Sequence, residues 1–137
     1  HKTVRQIFEE RTEEGFRELE KRMLHEVADF EDVVIATGGG TPCFFDNVEY
    51  MNQKGETVFL DVSQEVLFRR LKVAKQQRPL LVQKNDEELK AFIADALGKR
   101  LPHYSKAKHV FRADELEDKQ QIQHSVDALK KQLKLNE

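Results

Sequence analysis

The run Val33-Val34-Ile35-Ala36-Thr37-Gly38-Gly39-Gly40 constrains the fold of this chain more than any other stretch. Apolar and small residues lead without a charge into a threonine and three consecutive glycines. An apolar run of this length bounded by a turn signal reads as a fully buried strand. Strands of that kind belong to sheets covered on both faces. Three glycines with no Cβ between them then let something approach the backbone closely. A ligand is the first candidate for that close neighbour; a plain turn after a core strand is the alternative.

The rest of the chain alternates helical and strand patterns around this run. Residues 2–10 form a short amphipathic stretch with Val4, Ile7 and Phe8 on one face. Thr12 can cap a helix over about 13–28, in which Phe16, Leu19, Met23 and Val27 recur at helical spacing. Arg17 and Glu20 are three apart on that helix and so neighbours on its surface, where a solvated ion pair is the plain reading. A helix is predicted over about 46–53, ending at Lys54-Gly55, followed by an apolar strand at 57–60. Asp61 or Ser63 caps the next helix, to about residue 75. Between Arg69 and Arg78 stand five cations and no acid, before Pro79 breaks the pattern. This predicts an arm that closes over an anionic ligand, with a solvated helix end as the alternative. Asn85 or Asp86 starts a helix to about Leu97, residues 100–104 open a further turn or short helix, and Val110-Phe111 is the core of a short edge strand. A closing helix over about 118–134 places Ile122, Val126, Leu129 and Leu133 on one face. Apolar strands alternating with helices predict an α/β fold with a parallel sheet.

Composition narrows the function classes. The 137 residues suit one domain, and 35% of them are charged with a net of only −2, against both a disordered acidic chain and a basic nucleic-acid binder. No apolar run approaches the length of a membrane span, and the start has no signal-peptide pattern. The single cysteine, Cys43, stands beside Phe44 and Phe45, which predicts a buried packing role, and its isolation suits a reducing cytoplasm. The five histidines lack the spacing of a metal site. What remains is a glycine loop and several arginines, the groups that hold carboxylates, phosphates and hydroxyls.

Four motifs in order, Gly15-Phe16-Arg17-Glu18-Leu19-Glu20, Thr37-Gly38-Gly39-Gly40, Arg78-Pro79-Leu80-Leu81 and Arg100-Leu101-Pro102-His103-Tyr104, together resemble shikimate kinase. The resemblance implies a three-layer α/β/α P-loop kinase fold with parallel strand order 2-3-1-4-5. It also implies transfer of the ATP γ-phosphate to the 3-hydroxyl of shikimate, with Mg²⁺, by a cytoplasmic monomer that engages neither nucleic acid nor membrane. Arg17 and Arg100 would clamp the substrate carboxylate, a task that suits a planar guanidinium. Glu20 would orient Arg17 and contact the substrate side of the pocket, and Gly38, Gly39 and Gly40 would line that pocket. Thr37 would stand near a magnesium-bound water. Arg78 would neutralise charge on the transferred phosphoryl group from a lid over 73–84, and Arg70 would stack on adenine. Residues 1–30 would be substrate-binding helices within one kinase domain spanning 1–137.

The departure from the family pattern is equally plain. No G-x-x-x-x-G-K-[ST] loop and no Asp-x-Asp pair occurs. The expectation is therefore that strands 1 and 2 are missing, that these residues are the later part of a longer kinase, and that alone they turn over poorly. The rival readings are a related small-molecule kinase, such as a gluconate kinase, and a non-catalytic shikimate-binding module.

Overall fold

The computed structural model describes residues 2–4, 6, 12–74 and 81–135. Most of the amphipathic stretch at 2–10 lies outside them, as does Arg78. The chain divides into two compact units, His1–Thr57 and Val58–Glu137.

In the first unit, helix α1 spans Glu13–Val27 and starts where the sequence places it: Thr12 is extended, and its hydroxyl accepts from the Gly15 N–H at 3.1 Å. Two acids in the first turn, Glu13 and Glu14, complement the positive end of the helix dipole. Of the predicted apolar stripe, Phe16, Leu19 and Val27 are partly buried, while Met23 is half exposed and its neighbour Leu24 is buried. Positions 17, 20 and 24 share one face, so the covered side also takes in the Arg17–Glu20 pair. The segment after α1 is the main correction. Residues 33–37 form no strand and join no ladder, and Val34 is fully exposed. An apolar strand is buried only when strands flank it and layers cover it, and the described residues supply this run with neither. Gly40 leads into a 3-10 turn, Thr41–Cys43, and helix α2 follows over Asn47–Lys54.

The second unit holds the sheet. Strands β1, Val58–Asp61, and β2, His109–Arg112, pair in parallel, with Phe59 opposite Val110 and Leu60 opposite Phe111. The predicted strands at 57–60 and 110–111 are thus neighbours, and the crossover between them is helical, as parallel pairing requires. Leu60 and Val110 are 54% and 51% exposed, so the expected cover on both faces is incomplete among the described residues. Helix α3 is Gln64–Ala74 and α4 is Asp86–Tyr104. The latter opens with a capping box in which Asn85 and Glu88 exchange side-chain and backbone bonds of 2.8 and 3.0 Å. It runs on through Gly98 and Pro102, where the sequence predicts a break after Leu97. An interior glycine weakens a helix by only about 1 kcal/mol, and Pro102 sits in the last turn, where one lost bond is tolerated. Leu81, Leu89 and Ile93 form the core, packed by Leu67, Phe68, Leu71 and Leu97 from α3 and α4. Leu81, assigned to the end of the lid by the resemblance, is therefore an anchored core residue. Helix α5, Lys119–Leu133, is capped by Asp118, but Ile122 and Val126 on its apolar stripe remain 45% and 42% exposed. No helix among the described residues is long and apolar enough to cross a membrane.

Candidate functional site

In the first unit, Arg17 and Glu20 leave the solvent that a surface pair would keep. Their side chains are only 15% and 17% exposed, and Arg17 Nη1 donates to Glu20 Oε1 at 3.0 Å. The guanidinium carbon lies 4.2 Å from the centre of the Phe44 ring, within cation–π range, and 5.2 Å from that of Phe16. Glu13 stands 4.0 Å from Arg17 Nε, too far for a hydrogen bond, and that buried nitrogen has no hydrogen-bond partner among the described residues. A guanidinium pinned at one nitrogen and supported on a ring is preorganised to hold a planar anion.

The glycine loop meets this arginine directly. A Cβ on Gly40 would sit 2.8 Å from both Arg17 Nη1 and Nη2 and 3.1 Å from Cζ, closer than van der Waals contact permits. No glycine has positive φ, so Gly40 is required for clearance and not for an unusual backbone angle. The close approach predicted from three glycines is real at Gly40, and the neighbour is the protein's own arginine. Gly38 would tolerate a Cβ, which would meet Thr41 Oγ1 at 3.6 Å. Thr37 is exposed. Cys43 is half-buried, less than its aromatic neighbours predict.

A second polar cluster forms where β1 and β2 end. Asp114 accepts from the Ser63 N–H at 2.8 Å and from Arg112 Nη2 at 2.6 Å. The Ser63 N–H, followed by the Arg112 guanidinium, holds its carboxyl below the usual aspartate range. Arg112 also reaches Asp61 at 2.9 Å, and its bonds to both carboxylates raise its own pKa. Arg70, half-buried on α3, donates from Nη2 to the carbonyls of Ala113 and Asp114 at 3.1 and 2.8 Å. These bonds tie α3 to the segment after β2 at the carboxyl ends of the strands, where open α/β sheets place their ligands.

The structure thus brings together Arg17, Glu20 and Gly40. Arg100 is exposed on α4 in the second unit, with Tyr104 OH 3.5 Å from Nη1. Sequence reasoning missed Thr41, Asn47 and Phe44. Thr41 Oγ1 donates to Glu20 Oε2 at 2.9 Å, and Asn47 Nδ2 donates to the Thr41 carbonyl at 2.9 Å from a fully buried position. The signal for Thr41 was a hydroxyl directly after the glycines; Asn47 gave none, because an asparagine at a helix start looks like surface. Among the described residues no group of three or more His, Cys, Asp or Glu could hold a metal ion.

Comparison with known proteins extends this geometry. The family model described as shikimate kinase matches residues 1–130. The chain is 74% identical over 133 residues to a shikimate kinase of Phocaeicola vulgatus, covering 97% of this chain and 76% of the relative. It is 62% identical over 135 residues to a shikimate kinase of Bacteroides thetaiotaomicron, covering 98% and 77%. The crystal structure of shikimate kinase from Bacteroides thetaiotaomicron superposes with a TM-score of 0.94 at 61% identity, over 98% of this chain and 77% of that one. The P-loop kinase class predicted from four motifs is therefore the fold of the solved neighbour. With the match continuous from the Arg17 helix through the glycine loop to α5, the chain belongs to the shikimate kinase family.

Proposed function

We propose that the full-length protein transfers the γ-phosphoryl group of ATP to the 3-hydroxyl of shikimate. The observation that carries the substrate half is the Arg17 guanidinium, held by Glu20 and Phe44, with a buried Nε that makes no hydrogen bond among the described residues. Such a group binds a carboxylate at low entropic cost, because its orientation is fixed before the ligand arrives. The family resemblance assigns Arg100 to the shikimate carboxylate and Gly38, Gly39 and Gly40 to the lining of the shikimate pocket. Glu20 acts by orienting Arg17.

On the nucleotide side, Arg70 offers adenine a guanidinium fixed by the Ala113 and Asp114 carbonyls. Arg78, which lies outside the described residues, would balance charge on the phosphoryl group in flight. Mg²⁺ accompanies ATP in this reading.

The full-length protein, given ATP and shikimate, is expected to release ADP in step with one new phosphate ester seen by phosphorus NMR. ADP release that does not depend on shikimate would contradict the assignment. Arg100→Ala is expected to raise the shikimate KM at least about tenfold and to leave the ATP KM within about twofold. Equal loss for both substrates would remove Arg100 from the carboxylate clamp.

A further inference from the structure

The groups that hold Arg17 are themselves held. Glu20 uses one carboxylate oxygen on Arg17 Nη1, and a single bond of this kind sets a distance while leaving the carboxylate plane free to turn. Its other oxygen accepts from Thr41 Oγ1 at 2.9 Å, which fixes that plane. Thr41 is 4% exposed and anchored by its backbone at both ends. Its N–H donates to the Gly38 carbonyl at 3.2 Å, and its carbonyl accepts from Asn47 Nδ2 at 2.9 Å. Asn47 is fully buried on the first turn of α2. As a β-branched residue Thr41 also has few side-chain rotamers to lose. The chain Asn47–Thr41–Glu20–Arg17 therefore runs from a buried helix start to the guanidinium without a flexible link.

We propose that Thr41 is a positioning residue for substrate binding, setting through Glu20 the direction in which the Arg17 guanidinium points, with Asn47 holding Thr41 in place. The proposal rests on the reading that Arg17 binds the shikimate carboxylate. It predicts an effect confined to one substrate, because the Thr41 hydroxyl donates to the group that orients the arginine.

The test compares Thr41→Val, which removes the hydroxyl at nearly constant volume, with Thr41→Ser, which keeps it, in the full-length protein. Thr41→Val is expected to raise the shikimate KM by about tenfold, as loss of a bond to a charged group implies. The kcat and the ATP KM should stay within about twofold, and Thr41→Ser should return the shikimate KM to within about threefold of wild type. If Thr41→Val does not fold, Thr41→Ala, which adds nothing to the buried site, carries the same expectation. An unchanged shikimate KM in the hydroxyl-free variant, an equal loss for both substrates, or failure of serine to rescue would each overturn the proposal. Arg17→Lys, measured in parallel, separates the two levels. If it raises the shikimate KM while Thr41→Val does not, only the positioning role fails; if it leaves that KM unchanged, the carboxylate reading fails and the proposal with it.

Discussion

Replacing Gly40 with alanine tests the site at its tightest point. The new Cβ would stand 2.8 Å from Arg17 Nη1 and Nη2, against an ordinary separation of about 3.5 Å or more. The guanidinium must therefore retreat by about 0.7 Å, the glycine backbone being already in a helical region, at φ −86° and ψ −19°, that alanine adopts freely. A retreat of that size turns the 3.0 Å bond to Glu20 into one of about 3.7 Å, beyond hydrogen-bonding range. It also disturbs the 4.2 Å stacking on Phe44. The lost charge-assisted bond costs about 1.5–3 kcal/mol. Reduced freedom of the unfolded chain returns about 0.4–1 kcal/mol. A net destabilisation of about 0.5–2.6 kcal/mol is thus expected by urea unfolding. The kinetic effect should fall on substrate positioning, since a misplacement approaching 1 Å can cost about 100-fold in kcat/KM. Steady-state assays of the full-length Gly40→Ala protein should show kcat/KM for shikimate down by about 10- to 100-fold, with the ATP KM nearly unchanged. Wild-type kcat/KM for shikimate in a folded Gly40→Ala protein would refute the argument that Arg17 occupies the space above this glycine.

Two further outcomes follow from the second unit. Asp114 has a folded pKa below its unfolded value, so its contribution to stability is fully present above the ordinary aspartate pKa of about 3.9 and is lost as pH falls through the lower folded value. Urea midpoints measured from pH 6 down to pH 3 should therefore fall less steeply in Asp114→Asn than in wild type, and identical slopes would show that the Ser63 and Arg112 bonds do not act on this carboxyl. Leu89, 1% exposed in the α3–α4 core, should cost about 2–5 kcal/mol when cut to alanine. A loss below about 1 kcal/mol by urea unfolding would mean that the core around Leu81 and Ile93 collapses onto the gap.

The sequence carried local structure well and tertiary demand poorly. Thr12 and Asn85 start helices because a cap is a contract among residues three apart, and all parties are visible in the string. The parallel pairing of Val58–Asp61 with His109–Arg112 was legible for a related reason: two apolar runs separated by helices have few other arrangements open to them. Apolarity at Val33–Ile35 stated only a need for flanking strands and could not state whether they were there, and the described structure leaves Val34 in solvent. Gly98 and Pro102 looked like helix ends because propensity is a local cost, whereas the capping box and the packing of Leu89, Ile93 and Leu97 decide the length of α4. The glycine loop shows the limit most clearly. Its composition announces a close approach but not the identity of the neighbour, since Arg17 lies far upstream and on another element. With Arg17 in that space, Gly40 acts on a ligand at one remove: it admits the guanidinium, and the guanidinium meets the ligand. A methyl group at a glycine whose backbone angles any residue could adopt is then costly only in so far as Glu20 and Phe44 keep the guanidinium above it from moving.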